Sequence, residues 1–591
     1  MRGNFKRFLA LLSCGAVIAG ASVYTGCGVK KTSVDTSKTQ LWVKYYNGGI
    51  GKVWIEEAIK RFTDDYAEVS FQDGKKGIQV IADYAKETYS SEKIKNDVNN
   101  VYIGVNYNYQ DIAATGAAMN ITDVVNSTPI VNVDDNRNEV TESATIKSKI
   151  NPERQNIYNL GSSADERYYA LPFFESSMNL VYNVDLFEEK RYYFAKGKSA
   201  DALPAGADLD DYDTVSDLFI QDLYEERSYG PDGRTGIDPD TNEDYSIDDG
   251  LPATYNDFRA LITYMKNDKT IPFIWSPITV PYTTCIINEA WANSEGKEQF
   301  ALNFSFNGTA KNLLQLNSDG TPKKVGGELQ LREETNINAQ NGLVLHSQKG
   351  LYDALEFAQI LATQGNYYSK SFEDLEYTDA MEYFIYSKEK AETGHNGIAF
   401  IAEGTWWNNE ATTYNKYKSA RDKREKRFAI LPLPKSDVSK IGEKNVKISE
   451  RESLMFINAK TKGASLKAAK AFLRYLQSDY AMNEFSRHTD VLRAMDYELT
   501  EETLNGMTYF GVSNYKYAKS ANTEWIDWVP TSNDARKVSK SLLDYNSYCF
   551  NTSKGSNPVE ILKNESNLSV SSYFASIYNY FTTNGSKFNI S

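Results

Sequence analysis

Two adjacent tryptophans, Trp406-Trp407, follow the run Gly397 to Ala402, whose unbroken apolar character reads as a buried strand. Flat aromatic rings suit the apolar C–H faces of a polyhydroxylated ligand, and short polar side chains suit its hydroxyl rim. Neighbouring residues point different ways, so one indole is expected to stack on a ligand and the other to pack in the interior. The alternative is that both are core. Tyr107 and Tyr109 alternate with Asn106 and Asn108 after the strand-like Val101 to Val105, which puts both rings on one side of an extended segment. Asn47, at the end of the first apolar run, and Glu403, beside the tryptophans, are candidate hydrogen-bonding partners, with surface or salt-bridging roles as the alternative. Trp275, Tyr282, Trp525 and Trp528 are further aromatic candidates that sequence does not rank.

The elements that must position these residues alternate between strand and helix. Leu41 to Tyr46 reads as a strand. Asn47-Gly48-Gly49 follows, and then a helix with Trp54, Ile55, Ala58, Ile59, Phe62 and Tyr66 on one face. Ile78 to Tyr84 reads as the next strand. Strand-helix-strand order predicts a parallel α/β sheet, whose ligands gather beyond the carboxyl ends of the strands, where Asn47 to Gly49 sit. Leu351 to Leu361 reads as a helix, Phe428 to Leu433 and Ser453 to Ile457 as strands, and Leu466 to Leu476 as a strongly amphipathic helix. At 591 residues the chain exceeds one hydrophobic core and predicts at least two domains. Its 41 tyrosines are the unusual feature of its composition.

A formal net charge of −14 argues against nucleic-acid binding, which depends on clustered Lys and Arg. The mixed run Lys416 to Arg427 reads as a solvated helical face. His346, His395 and His488 are not spaced for a zinc site, so neither a metal nor a histidine-based catalytic site is expected, and no cofactor is implied. Arg2, Lys6 and Arg7 precede the apolar run Phe8 to Val23, the form of a secretory signal. Val23-Tyr24-Thr25-Gly26-Cys27 resembles the lipobox of bacterial lipoproteins, with Tyr24 where a leucine-like residue is usual. Residues 1–27 are therefore expected to be a signal peptide, with Cys27 the lipidated residue and plain secretion the alternative. Residues 28–40, polar and rich in Lys, Ser and Thr, read as a tether. No later segment is long and apolar enough to span a bilayer. Cys285 and Cys549 are expected to be free thiols, with pairing the alternative.

Several segments, in order, resemble family 1 extracellular solute-binding proteins, the carbohydrate receptors of ABC importers similar to maltose-binding proteins. They are Leu41 to Gly49, Leu171-Pro172-Phe173-Phe174-Glu175, Tyr182 to Phe187, Gly250 to Phe258, Gly397 to Trp407, Phe428 to Pro434 and Ala468 to Ala494. The resemblance implies a two-lobed, periplasmic-binding-protein-like (type II) α/β fold with discontinuous lobes and a ligand cleft between them. Residues 40–172 plus 450–510 would form one lobe. Residues 173–449 plus 511–591 would form the other, with an insertion at 191–250. It further implies a lipid-anchored, monomeric receptor on the extracellular face of the membrane. That receptor would bind a carbohydrate, by expectation an oligosaccharide, and pass it to an ABC-transporter permease without covalent change. Glu175, near the implied crossing, and Arg493, in the segment similar to the family's ligand-side loop, join the candidate ligand-binding residues.

Within the insertion, Asp238, Asp240, Asn242, Asp244 and Asp249 have the spacing of a calcium loop, but Glu243 stands where such a loop needs glycine. An acidic solvated hairpin is the favoured reading. Two other functions remain open: a secreted glycoside hydrolase, which would need two carboxylates across a scissile bond, and a surface glycan-binding lipoprotein without a transporter. Peptide capture by the same architecture is a further alternative.

Overall fold

Leu41, Val43 and Tyr45 alternate along the first strand and are fully buried, which fixes its register against both neighbours. The structure, a computed structural model, describes residues 34–584 apart from 240–243, 278, 280, 391–393, 415, 418–425, 450–452, 530, 532–549, 551, 554 and 566. The signal-like segment, Cys27, the middle of the calcium-like run, most of the basic run and Cys549 lie outside the described residues. Cys285 is buried.

In chain order the elements used below begin with β1 (Thr39–Tyr46), α1 (Val53–Asp65), β2 (Ile78–Ala85), β3 (Val101–Gly104), β4 (Leu171–Pro172) and β5 (Met178–Asn183). Then come α2 (Tyr255–Asn267), β6 (Thr270–Ile274), α3 (Pro281–Glu295), α4 (Lys349–Ala362), α5 (Tyr377–Ile385), β7 (Gly397–Gly404) and α6 (Trp407–Thr413). The last are β8 (Phe428–Leu431), β9 (Asn445–Ser449), β10 (Leu454–Ile457), α7 (Gly463–Tyr475), α8 (Asp479–Thr489), α9 (Tyr509–Lys519), β11 (Thr523–Asp527), α10 (Pro558–Asn564) and α11 (Val570–Thr583).

Two sheets organise the molecule. The first has the order β2-β1-β3-β10-β4, with β1, β2 and β3 parallel and β10 antiparallel to both its neighbours. The second has the order β8-β5-β7-β6, with β7 parallel to β6 and antiparallel to β5. Every residue of β7 is buried, as its continuous apolar pattern requires. The chain crosses from the first sheet to the second between β4 and β5 and returns between β8 and β10. It goes over again after α8, because α8 packs on α1 while α9 packs on β8. Each lobe is thereby assembled from separated stretches of chain, the two-lobed α/β architecture. A small parallel pair, β9 and β11, lies apart from both sheets.

The β1-α1 connection is held rigidly. Trp54 Nε1 donates to the Tyr45 hydroxyl at 2.8 Å, and that hydroxyl donates to the Gly51 carbonyl at 2.6 Å. Strand β1 begins at Thr39, two residues inside the expected tether. The 191–250 stretch is not simply a solvated excursion, since Tyr192, Tyr193, Phe194, Leu218, Phe219 and Ile220 are buried. Phe219 and Tyr212 both stack on Tyr264 of α2, at ring separations of 4.2 and 5.7 Å.

Candidate functional site

A cavity of 230 Å3 opens beyond the carboxyl ends of β1, β2 and β3. From the first lobe, Tyr46 ends β1 and Gly48, Gly49 and Ile50 follow it, Lys86 follows β2 and Val105 follows β3. This is the place where parallel strands leave backbone and side chains pointing at a ligand. The second lobe supplies Trp406 and Glu410 from the β7-α6 junction, Tyr377 from the start of α5 and Tyr282 from the start of α3. Phe174, on the crossing between β4 and β5, lies between the two walls.

The aromatic wall is continuous. The Tyr282 and Tyr377 rings meet edge to face at 6.4 Å, and Tyr377 meets Tyr414 at 6.2 Å and donates to its hydroxyl at 3.4 Å. Lys86 Nζ sits 4.5 Å from the centroid of the Tyr414 ring, a cation–π contact across the cleft. The Trp406 indole lies between two glycines. A Cβ on Gly49 would fall 2.2 Å from its Cδ1, and one on Gly404 would fall 2.4 Å from its Cη2. Asn409 Nδ2 also donates to the Gly49 carbonyl at 3.4 Å. The lobes are therefore in contact and the cleft is closed, leaving Trp406 only 5% exposed.

Glu403 lies at the end of β7 and is buried, one carboxylate oxygen accepting from the Gly404 amide at 3.3 Å and the other without a hydrogen-bond partner. Burial, and then the neighbouring Glu410 charge, push its carboxyl well above the usual range. Burial, followed by the charges of Glu410 and Glu403, pushes the Tyr377 phenol up to about 12. The cavity thus joins aromatic faces to a carboxylate acceptor at Glu410, a phenol oxygen at Tyr377 and a cation at Lys86.

The structure distributes the other sequence candidates differently from the expectation. Trp407 is fully buried among Phe384, Phe428 and Phe510, with centroid separations between 5.3 and 5.9 Å, and belongs to the core. Tyr107 and Tyr109 do not share a face, because Asn106 has φ of 60° and Asn108 caps the short helix that begins at Tyr109. Tyr107 packs edge-on against Phe456, and the Tyr109 hydroxyl donates to the Tyr158 carbonyl. Asn47 is half-buried beside the cavity, its amide donating to the Ala85 carbonyl at 3.0 Å.

Glu175 and Arg493 serve the crossing instead of the cavity. Glu175 accepts a forked pair of bonds from Arg154, which also binds Asp527. Arg493 is buried, donates to the Phe173 and Leu476 carbonyls and to Gln477, and is lowered by burial to about 10. Of the reserve aromatics, only Tyr282 reaches the cavity among the described residues.

Sequence reasoning missed Tyr46, Lys86, Tyr377 and Glu410 as site residues. Lys86 had the same signal as Asn47, the position just past a parallel strand. Glu410 stands four residues after Trp406, one helical turn on. Tyr377 had no local signal. As to metals, Glu57, Glu484 and His488 bring ligand atoms within 4.8 Å of one another, but Arg487 already donates to Glu484 at 2.5 Å and supplies the positive charge there.

No protein-family model matches the chain, and no curated protein matches it. Solved structures with partial likeness include the SBP RafE in complex with raffinose, at 12% identity and a TM-score of 0.49 over 92% of this chain and 99% of that one. The bacterial solute receptor AcbH, described as preferring β-D-galactopyranose, gives 11% identity and a TM-score of 0.47 over 92% and 98%. A chitin oligosaccharide binding protein gives 11% and 0.46 over 89% and 98%. All three scores fall below 0.5, so the two-lobed architecture rests on the strand order and crossings of this chain itself.

Proposed function

We propose that this chain is a solute-binding receptor that closes its two lobes on a carbohydrate and delivers it to a membrane importer. The observation that carries the reading is the cavity at the carboxyl ends of β1, β2 and β3, walled on its far side by Trp406, Tyr377 and Tyr282 from the other lobe. Rings in that position meet sugar C–H faces, while Glu410, Tyr377 and Lys86 meet hydroxyls. A ligand touching both walls favours the closed state, and an importer that recognises closure receives only loaded protein. No bond changes in this cycle. Glu403 does not line the cavity, so Glu403 and Glu410 do not flank a bound sugar as a hydrolase pair would. Lipid anchoring at Cys27, the extracellular location, the permease partner and the monomeric state are part of the same proposal.

The test is thermal unfolding of residues 28–591 with a panel of mono- and oligosaccharides and peptides, since a ligand of the folded state must raise the midpoint. A rise with a sugar that is recovered chemically intact supports the receptor. A rise only with peptides, or none across a broad sugar panel, removes the carbohydrate reading, and release of cleaved product turns it into a hydrolase.

A further inference from the structure

Residues of α2 and α4 line a groove of 940 Å3 that shares no lining residue with the cleft cavity. Its floor is set by ring stacking that ties the helices together, Tyr255 and Phe258 lying 5.2 and 5.5 Å from Phe357. The walls are polar by helical periodicity. Asn256, Arg259, Thr263 and Lys266 recur at three- and four-residue steps along α2, and Glu356, Gln359 and Thr363 do so along and just past α4. Residues of the insertion form the third wall, where Asp210 approaches Arg259 at 3.4 Å and Tyr212 is held flat on Tyr264. Lys266 Nζ donates to Asn366 at 3.2 Å and so is already oriented.

These groups narrow the chemistry of an occupant. The lining carries two cations, Arg259 and Lys266, and two carboxyls, Asp210, which pairs with Arg259, and Glu356, pushed by desolvation up to about 7, so its net charge is small and no polyanion is favoured. Ile262 and Ile360 are the apolar aliphatic side chains of the lining, too few to anchor an amphipathic helix or a lipid. Side-chain amides, a guanidinium and a carboxylate, set in rows beside one fixed tyrosine ring, match a chain of vicinal diols with exposed C–H faces. The volume lies at the upper end of the roughly 300–1,000 Å3 of small-ligand sites. It is about four times the cleft cavity, room for several sugar units in line. The side chains of Glu356 and Gln359 are open to solvent, so a ligand reaches them without any lobe movement.

We propose that the α2–α4 groove is a second carbohydrate site, which docks an extended glycan chain while the interlobe cleft takes its own ligand. The groove needs neither closure nor Trp406, so it works on polymers that the closed cleft cannot admit.

The experiment is native electrophoresis of residues 28–591 through gels cast with soluble starch, xylan, galactomannan or mixed-linkage β-glucan. At least one polymer is expected to retard the protein. The triple variant Asn256→Ala, Arg259→Ala, Gln359→Ala should weaken that retardation about tenfold, as loss of several hydrogen bonds predicts. Trp406→Ala should leave it in place. Thr263→Trp, which fills the groove, gives an independent test should the triple variant lower the thermal midpoint. The proposal is overturned if no polymer retards the protein, if retardation survives both groove variants, or if Trp406→Ala alone abolishes it. Retardation that depends on the groove, in a protein whose midpoint no short sugar raises, would uphold the groove and remove the receptor reading.

Discussion

Trp406 is the residue on which the cleft turns, since it carries the second lobe's largest face and touches both walls. Trp406→Ala should weaken sugar binding about thirtyfold, roughly 2 kcal/mol, while leaving the fold intact; calorimetric titration of both proteins reads the ratio. A second residue-scale consequence concerns pH. Glu295, at the end of α3, is buried, accepts from the Gly350 amide at 2.5 Å and from Asn312 at 3.2 Å, and is pushed by burial up to about 7. Between the ordinary carboxyl value of 4.5 and about 7 the folded chain holds a proton that the unfolded chain has released. Stability should therefore fall as pH rises through that window, by on the order of 3 kcal/mol for this group. Asp232, raised to about 6, acts in the same direction. Glu295→Gln should flatten the slope of the thermal midpoint between pH 4.5 and 7.5, and an unchanged slope would place the effect elsewhere.

At the scale of elements, the turn after β1 is as decisive as any side chain. Gly49 lets the Trp406 ring approach within a distance that no Cβ tolerates, and the Trp54-Tyr45-Gly51 bonds prevent the turn from yielding. Gly49→Ala should keep the unliganded midpoint within a degree or two and prevent closure, reducing affinity by about tenfold or more because the binding-competent state is depopulated. Small-angle scattering with saturating ligand would then stay at the open dimensions. The strands and helices themselves were legible. The readings Leu41 to Tyr46, Ile78 to Tyr84, Gly397 to Ala402 and Leu466 to Leu476 each fall within an element or overlap it almost completely, because apolar periodicity records which face a segment buries. The failure at Tyr107 and Tyr109 has an equally local cause. One left-handed residue, Asn106, ends the extended backbone on which the alternation argument depended.

For the whole molecule, the crossings must be stiff enough to return the lobes to one closed geometry. Arg154 provides this by binding Glu175 on the first crossing and Asp527 on β11 at once, with all three side chains largely buried. Arg154→Met leaves both carboxylates unpaired in a poorly hydrated place and should cost about 3–5 kcal/mol in chemical denaturation. A cost under about 1 kcal/mol, the value of an exposed pair, would mean that the cluster is solvated in solution. The candidate site is a property of this scale as well. Its walls come from positions 46, 48–50, 86, 105, 174, 282, 377, 406 and 410, and no stretch of sequence contains more than a fragment of them.

Read alone, the chain yields the α/β class, the alternation of strands and helices, and the Trp406-Trp407 pair at the end of a buried strand. Local periodicity and residue type suffice for those, since each depends on one segment meeting water or not. The approach of the two lobes settled which of two adjacent tryptophans faces the cleft, that Glu175 and Arg493 hold the crossing, and that Tyr377, Lys86 and Glu410 complete the wall. Those outcomes depend on how two separately threaded sheets approach each other. Many of the chemical hints that the tyrosines offered were taken up by packing, as with Tyr45, Tyr102 and Tyr192, each fully buried. A tyrosine has the same composition in a core as in a cleft, and only the meeting of the lobes tells them apart.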